Sequence, residues 1–569
     1  MNKIKKLRKS FQSFMIDGYL VPKNDDYFNE YISQSNDRLK FISNFSGSAG
    51  FAIILKKKNY LFVDGRYTIQ SRIESGKKFK IITLPQRFPR NILKNKKKIK
   101  IGFDPKLHTE KQLNFLFGDK NITLKPINKN LIDIIWAKKP KDLIKPFFSL
   151  LKKDAGQSSQ EKIMKVKNVL LKNKTDYLFV TAPENVAWIL NIRGFDSTYS
   201  PIPNARLLIN KKGDIDLFAH SKKIGNIKKK ISKKIKFHDE SKIEKTLKSL
   251  LKNKIWLDNL SCSIYYKTLL SKKNKIIEKL DPIYFFKSIK NSTEIKNMKK
   301  SHMIDGVALT KFLFWLKKNF KRKKITEISA QKKLEDFRKR NKVYKFPSFN
   351  TISGTGPNSA IIHYKASTKS NRTLKKGDLY LVDSGGQYSF GTTDVTRTIS
   401  LDNNSKFIKN IYTRVLKGHI SVSDYKIKKN SKGSDIDRYA RKPLKKIGLN
   451  YPHGTGHGVG YFLNVHEGPQ SLSKKNNVNL KPGMIISNEP GYYKEGYFGI
   501  RIENLVLVKK NKFEELTMAP IEKNLIRKNM LNKKEISWLN KYHSRVRKNL
   551  FKFMNLEEKA NLIDACSPI

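Results

Sequence analysis

Cysteines and long apolar stretches are scarce in this chain. Its two cysteines, Cys262 and Cys566, are too few for a disulfide framework or a thiolate zinc site, so we expect a reducing compartment. No stretch approaches the roughly 20 apolar residues that a membrane span needs. No apolar run follows the basic start Met1–Lys6 before Asp17. These absences predict a cytoplasmic protein with no signal peptide and no membrane partner.

Acidic residues are also few. Lys and Arg together number 118 against 48 Asp and Glu, which leaves a formal net charge of +70. Such a charge by itself would indicate nucleic acid or an acidic surface as a partner. The lysines nevertheless occur in short runs along the chain, such as Lys56–Lys58 and Lys272–Lys273, rather than on one arm or one helix face. We interpret them as solvated surface and expect no specific nucleic acid, although nucleic-acid binding stays open as the alternative.

The length of 569 residues predicts roughly three or four domains. The pattern near the amino terminus is a helix around Ile4–Ile16, the strand Gly18–Pro22 and a hairpin, which is typical of an α/β unit. A helix at Gln160–Lys172 and a strand at Tyr177–Val180 repeat that order. This parallel indicates either an internal duplication or two independent α/β units.

A capped amphipathic helix, Ile295–Phe320, opens a region of different composition, and helical spacing returns near the carboxyl end. The predicted fold class is therefore α/β (α+β). The predicted domains are residues 1–145, 155–286, 290–522 and 523–569, the last being a helical extension.

Two aspartates lie in one predicted hairpin. Strands at Leu379–Val382 and Val395–Ile399 flank a glycine-rich turn, which places Asp383 and Asp394 on neighbouring strands. Two buried anions side by side would be costly without a counter-charge, or one of them would stay protonated. The hairpin therefore predicts a bound cation.

Three further ligand-type residues follow in the same domain. His457 lies in a segment with four glycines, which let the backbone approach a centre closely, and Glu489 ends an apolar strand. Glu503 lies on the predicted strand Phe498–Leu507, where Arg501 shares its face because the side-chain period of a strand is two.

Oxygen-rich sites with one imidazole suit hard or borderline ions such as Mn²⁺. Four carboxylates exceed the need of one divalent ion. Two ions roughly 3.5–4 Å apart, sharing carboxylates and a bridging water, would use all of them and generate a hydroxide near neutral pH. A single Asp is more often a cap and a single His more often a core residue. The joint presence of all five residues predicts a metal site and hydrolysis.

The sequence resembles the pita-bread metallopeptidases, and within them the three-domain Xaa-Pro aminopeptidases. In the catalytic region the resemblance rests on Gly391–Thr398, His453–Gly460, Asn488–Tyr493 and Gly499–Asn504. Outside that region, Asp64–Tyr67 and Val186–Gly194 resemble the two creatinase-like domains, and Trp538–His543 resembles the family's carboxyl-terminal extension. The resemblance therefore implies two creatinase-like α/β domains, a pita-bread catalytic domain and a helical extension.

The resemblance also implies a role for each ligand. Asp383 would chelate one metal ion, His457 and Glu489 would hold the other, and Asp394 and Glu503 would bridge both ions.

Further residues would act on the substrate. The resemblance implies that His363, His453 and His466 position the scissile carbonyl and the proline side of a peptide. Glu489 would accept a proton, and Arg501 would orient the carboxylates.

The implied activity is removal of the first residue from peptides with proline second, by attack of a metal-bridging hydroxide, in a homodimer. An Xaa-Pro dipeptidase (prolidase) and a creatinase-like amidinohydrolase are alternatives within the fold. A non-catalytic pita-bread protein that binds nucleic acid is the alternative of a different class.

Overall fold

The structure is a computed structural model that describes residues 3–94, 98–228 and 234–569. Met1 and Asn2, with which the predicted basic start opens, lie outside the described residues. The chain divides into two compact units, Met1–Tyr284 and Phe285–Ile569.

The first unit begins with a six-stranded mixed sheet of order β4-β3-β2-β1-β5-β6. Its strands and the accompanying helices are α1 (Lys3–Ser13), β1 (Gly18–Pro22), α2 (Arg38–Ser43), β2 (Phe51–Leu55), β3 (Asn59–Asp64), α3 (Thr68–Ser75), β4 (Lys80–Leu84), α4 (Pro89–Leu93), β5 (Ile99–Phe103), α5 (Glu110–Phe117), β6 (Ile122–Pro126) and α6 (Leu131–Ile135). Helix α1 is amphipathic and buries Ile4, Leu7 and Phe11.

A second six-stranded sheet follows, of order β12-β11-β10-β8-β13-β14. The elements of this part are β7 (Phe148–Ser149), α7 (Lys152–Ala155), α8 (Ser159–Lys172), β8 (Tyr177–Val180), α9 (Pro183–Leu190), β9 (Ile192–Arg193), β10 (Arg206–Asn210), β11 (Ile215–Phe218), α10 (Ser221–Ile224), β12 (Ile235–His238), α11 (Ile243–Ser249), β13 (Lys254–Leu257), α12 (Ile264–Ser271), β14 (Lys275–Glu278) and α13 (Pro282–Ser288).

The two sheets of the first unit share one topology. In each, the first long strand pairs antiparallel with the next strand of the sheet, that strand pairs antiparallel with a third, and the third pairs parallel with an edge strand. On its other side the first strand begins a parallel run of two more strands. The repeated order that the sequence indicates is therefore present in the strand pairing as well.

The second unit contains two long helices, then small antiparallel sheets with two further helices between them in the chain, and two terminal helices. Its elements are α14 (Ser292–Asn319), α15 (Glu327–Lys339), β15 (Tyr344–Pro347), β16 (Ile352–Thr355), β17 (Leu379–Ser384), β18 (Gly386–Tyr388), β19 (Gly391–Thr392), β20 (Val395–Ser400), α16 (Lys406–Ser423), α17 (Gly433–Lys445), β21 (Gly456–Gly458), β22 (Glu467–Leu472), β23 (Ile485–Asn488), β24 (Gly491–Lys494), β25 (Phe498–Arg501), β26 (Asn504–Val508), β27 (Phe513–Glu515), α18 (Lys533–Leu550) and α19 (Leu556–Ala565).

The start of α14 has a capping box. The side chain of Asn291 accepts the backbone N–H of Glu294, and the Glu294 carboxylate accepts the backbone N–H of Asn291. The helix therefore begins at Ser292, three residues before the predicted start at Ile295, and ends at Asn319.

The core of the second unit joins its sheets to its terminal helices. One apolar cluster contains Tyr412 and Leu416 of α16, Ile500 of β25, and Leu539 and Val546 of α18. The helical extension is thus packed into the same core as the strands that carry the site. Among the described residues, no helix combines the length and apolar character that crossing a membrane requires.

Candidate metal centre

Asp383 lies on β17, and Asp394 lies next to β20, the antiparallel partner of β17. Asp383 is opposite Thr396 in the antiparallel ladder, and Asp394 directly precedes β20. The link between the strands is longer than a simple turn, because β18 and β19 lie within it and pair with each other. Both aspartates are buried, at 8% and 4% exposure.

His457 and Glu489 are brought together by the pairing of β21 with β23. Ser487 connects them, because its hydroxyl accepts the backbone N–H of His457 at 2.9 Å and donates to Glu489 Oε1 at 3.1 Å. A Cβ atom on Gly456 would lie 1.8 Å from the carbonyl oxygen of Ser487. Glycine is required there for the two strands to approach so closely.

Glu503 lies between two strands rather than within one. The predicted continuous strand Phe498–Leu507 is wrong at this point, because β25 ends at Arg501 and β26 begins at Asn504, in another sheet. The break lets Glu503 turn toward β20, where its backbone N–H donates to the Thr396 carbonyl at 3.2 Å. The Thr396 hydroxyl donates to Glu503 Oε2 at 2.8 Å.

The donor atoms of Asp394, His457, Glu489 and Glu503 converge. His457 Nε2 lies 3.5 Å from Asp394 Oδ2 and 3.4 Å from Glu489 Oε1. Asp394, His457 and Glu503 each offer one ligand atom within 4.8 Å of the other two. Such a cluster of carboxylate oxygens and one imidazole nitrogen matches the donors of hard or borderline divalent ions.

The charge state of the cluster also fits a cation. Burial and then the neighbouring carboxylates raise the pKa of Asp394 and of Glu503 well above their ordinary values, and burial also raises the pKa of Glu489. Within the described residues, Oδ1 of Asp383 and Oδ1 of Asp394 are buried and accept no hydrogen bond. Buried carboxylate oxygens of this kind call for a positive partner.

Arg501 provides one protein counter-charge. Its Nη2 donates to Asp383 Oδ2 at 2.6 Å, and its Nη1 donates to the Tyr493 hydroxyl at 2.6 Å. The side chain of Arg501 is buried at 1% exposure. Arg501 therefore holds one oxygen of Asp383, and the other oxygen is buried without a hydrogen bond within the described residues.

The predicted substrate histidines contact, or adjoin in the chain, residues that lie at this centre. His453 Nε2 lies 2.9 Å from the Tyr493 hydroxyl, and the ring of His466 meets that of His457 edge-on at 4.3 Å between centroids. His363 is half-buried and follows Ile362, whose carbonyl oxygen accepts from Arg501 at 3.4 Å.

Sequence reasoning missed Thr396, Ser487 and Tyr493. Each of them fixes a predicted residue through a hydroxyl group. Thr396 and Tyr493 lie within the segments Gly391–Thr398 and Asn488–Tyr493 of the resemblance, which is a usable indication, whereas nothing in the sequence distinguishes Ser487 from other strand hydroxyls.

The fold and the site define a metal-dependent hydrolase. Residues 296–510 match the model of Metallopeptidase family M24, residues 3–131 and 138–294 each match a Creatinase/Prolidase N-terminal domain, and residues 510–569 match the C-terminal region of peptidase M24. The chain belongs to metallopeptidase family M24, in the group with creatinase/prolidase N-terminal domains.

Three relatives illustrate the likeness. Xaa-Pro aminopeptidase 1 of Dictyostelium discoideum is 36% identical over 601 residues, covering 98% of this chain and 94% of that protein. The crystal structure of X-prolyl aminopeptidase from Caenorhabditis elegans, described as a cytosolic enzyme with a di-nuclear active site, is 30% identical with a TM-score of 0.93, over 100% of this chain and 99% of that one. The prolidase of Pyrococcus horikoshii OT3 is 26% identical with a TM-score of 0.54, over 64% of this chain and 99% of that one.

Proposed function

We propose that this chain is an Xaa-Pro aminopeptidase that hydrolyses the bond between the first residue of a peptide and a proline in second position. The observation that carries the proposal is the convergence of Asp394, His457 and Glu503 donor atoms within 4.8 Å. The chain also resembles aminopeptidases of this specificity over nearly its full length.

Five residues would hold two divalent ions. Asp383 would serve one ion, His457 and Glu489 the other, and Asp394 and Glu503 both. When bound, the ions would polarise the peptide carbonyl and lower the pKa of a water molecule. Mn²⁺ is the proposed metal, because four carboxylates and one imidazole form an oxygen-rich donor set.

The protein's own groups would handle the proton and orient the peptide. Glu489 has a pKa raised by burial, which suits a group that must take up a proton, and Ser487 fixes its Oε1 atom at 3.1 Å. His453 is oriented by Tyr493, which Arg501 in turn holds. We propose that His453, His466 and His363 contact the peptide and stabilise the developing oxyanion.

The proline requirement has a chemical reason. A proline nitrogen carries no hydrogen and its ring fixes φ, so a peptidase that reads the backbone N–H of this residue binds such a bond poorly. An enzyme whose site recognises the proline ring instead would be able to cleave the bond before proline.

Residues 1–145, 155–286, 290–522 and 523–569 are the proposed domains, supported by the four family matches and by the two sheets of one topology. A cytoplasmic homodimer is part of the same proposal, and the mass of the purified protein in solution tests the dimer.

A dipeptidase is the second candidate, since the Pyrococcus horikoshii prolidase shares part of the fold. Its likeness extends over 64% of this chain, against 100% for the aminopeptidase structure from Caenorhabditis elegans. The fuller coverage favours the aminopeptidase.

The test is a peptide panel with the Mn²⁺-loaded protein. Ala-Pro-Ala should be cleaved, Ala-Ala-Ala should not, and Ala-Pro should be cleaved poorly. Asp394→Asn should abolish turnover, whereas the exposed Asp424→Asn should retain it. Preferential cleavage of Ala-Pro would identify a dipeptidase, and a metal-free protein that binds RNA with a steep salt dependence would support the non-catalytic alternative.

A further inference from the structure

A buried ionic cluster lies beside His466 and is not part of the metal site. It consists of Glu467, Lys287 and Lys290, whose side chains are at most 2% exposed. Lys290 Nζ donates to Glu467 Oε1, and Lys287 Nζ lies 3.3 Å from Oε2. We call these three residues the Lys-Glu-Lys cluster.

Glu467 adjoins two residues of the proposed site. It directly follows His466, and in the β21–β22 ladder its backbone is opposite Gly458, which directly follows His457. A Cβ on Gly458 would lie 2.4 Å from the Glu467 carbonyl oxygen, so the two backbones are in close contact. Glu467 therefore lies where the chain passes from His466 into β22, against the backbone of the residue that follows His457.

Lys290 is tied to a different strand. Its backbone N–H donates to the Gly483 carbonyl at 2.9 Å, and Ile289 pairs with Met484 just before β23. Strand β23 leads directly to Glu489. The contact between Lys290 and Glu467 thus attaches the start of β22, beside His466, to the strand that positions Glu489.

The Lys-Glu-Lys cluster buries more positive than negative charge. Two ammonium groups and one carboxylate are withdrawn from water together, and such groups are retained only when each is well paired. Apolar side chains would fill the same space without this cost, so the cluster favours a role in fixing one arrangement of the strands over a role in stability alone.

We propose that Glu467, held by Lys290 and Lys287, is a positioning residue that sets the place of His466 against His457 and the bound peptide. The proposal rests on the proposed function, because His466 is taken to contact the substrate. Glu467 acts through the backbone of its neighbour and touches no reacting atom.

The experiment combines kinetics with a double-mutant cycle on the Mn²⁺-loaded full chain. Glu467→Gln keeps the shape and removes the charge, and it should lower kcat/KM for Ala-Pro-Ala by about 10- to 100-fold with unchanged metal content. Lys290→Met should lower kcat/KM by a similar factor. Lys287→Met should lower kcat/KM by a smaller factor, because Lys287 lies farther from the Glu467 carboxylate than Lys290 does.

A double-mutant cycle with His466 distinguishes a positioning role of Glu467 from a general loss of structure. In a His466→Ala background, Glu467→Gln should lower kcat/KM for Ala-Pro-Ala by less than about twofold, because the residue that Glu467 positions is absent. Glu522→Gln is the matched control, since it also neutralises a buried glutamate paired with a lysine, here Lys317 at 2.7 Å. It should lower the melting temperature and leave kcat and KM unchanged.

Three results would overturn the proposal: wild-type kinetics for Glu467→Gln, a loss in the double variant equal to the sum of the single losses, or an equal kinetic loss in Glu522→Gln. A crystal structure of Glu467→Gln gives a readout that needs no activity. The His466 ring should move from its edge-on contact with His457, and an unmoved ring would contradict the proposal. Failure of the wild-type chain to cleave Ala-Pro-Ala would instead count against the proposed function.

Discussion

The guanidinium of Arg397 donates to the hydroxyl of Tyr542 at 2.9 Å, which joins a catalytic-domain strand to the helical extension. Arg397 is fully buried on β20, and Tyr542 lies on α18. The same guanidinium donates to the backbone carbonyls of Thr396, Glu503, Ala519 and Pro520 and to Asn504 Oδ1, all within 2.9 Å. The loop that carries Glu503 is therefore held partly by the extension.

We expect Arg397→Met to lower the free energy of unfolding by about 3–5 kcal/mol, because several buried carbonyls lose their donor at once. Tyr542→Phe should cost about 1–2 kcal/mol, because Asn504 and Ala519 still accept from Arg397. Urea denaturation of both variants provides the measurement. Equal losses of unfolding free energy in the two variants would show that the other hydrogen bonds of Arg397 contribute nothing beyond its contact with Tyr542.

Arg501 should compensate the negative charge of Asp383 and of the neighbouring carboxylates. In metal-free protein Arg501→Met should cost about 3–5 kcal/mol of unfolding free energy, since Asp383 and its neighbouring carboxylates lose a buried cation. Saturating Mn²⁺ should recover part of this loss, because the ions supply positive charge at the same place.

Tyr493→Phe is the matched control for Arg501. It removes a neutral partner of the same guanidinium, so its cost of about 1–2 kcal/mol should be the same with and without metal. Urea denaturation in EDTA and in Mn²⁺ compares the two variants. An Arg501→Met loss that metal does not reduce would contradict the counter-charge role.

The third prediction is a pH dependence carried by His543. Burial, with the nearby cations Arg397 and Lys523, lowers the pKa of His543 to about 3. Below the unfolded pKa of about 6.5 the unfolded chain takes up a proton that the folded chain excludes, so stability falls as pH decreases. The loss should approach about 1.4 kcal/mol per pH unit between pH 6.5 and 3.

Replacement of His543 by Gln removes this titration while offering an acceptor for the Ile521 N–H, which His543 Nε2 accepts at 3.1 Å. Unfolding free energies at pH 7.5 and 5.5 should differ by about 1.4 kcal/mol more in the wild-type chain than in His543→Gln. Parallel pH profiles for the two proteins would refute the assignment.

The sequence predicts local features of this molecule well and long-range contacts poorly. Strand β1, Gly18–Pro22, coincides with its prediction because a short apolar run between a glycine and a proline has clear limits. The segment Phe498–Leu507 has uniform strand character, so its break at Glu503 is invisible without the neighbouring Thr396. The convergence of Asp394, His457 and Glu503 was predictable because each of them lies in a glycine-containing segment that carries the resemblance.

The pairing of Lys290 with Glu467 shows what a single sequence cannot supply. The two residues are 177 positions apart, and each alone is typical of a solvated surface. Their burial follows from the docking of the segment before α14 against β23, a tertiary contact without a periodic pattern. The contact between Arg397 and Tyr542, which are 145 positions apart in the chain, cannot be predicted from the sequence for the same reason.

The last prediction distinguishes the two aspartates of the β17–β20 pair. Arg501 already holds Oδ2 of Asp383 at 2.6 Å, whereas Oδ2 of Asp394 faces His457 at 3.5 Å and its Oδ1 accepts no hydrogen bond within the described residues. Asp394 also belongs to the converging group with His457 and Glu503. Asp394 should therefore contribute to both ions and Asp383 to one.

Metal analysis of purified variants tests this difference directly. Asp383→Asn should retain close to one Mn²⁺ per chain and lose about 10- to 100-fold in kcat/KM, whereas Asp394→Asn should retain less than one ion and show no measurable turnover. Asp424→Asn, an exposed aspartate of the same unit, controls for the change of residue type and should retain two ions. Equal metal contents in Asp383→Asn and Asp394→Asn would contradict the unequal roles, because a residue shared by both ions must cost more metal than a ligand of one.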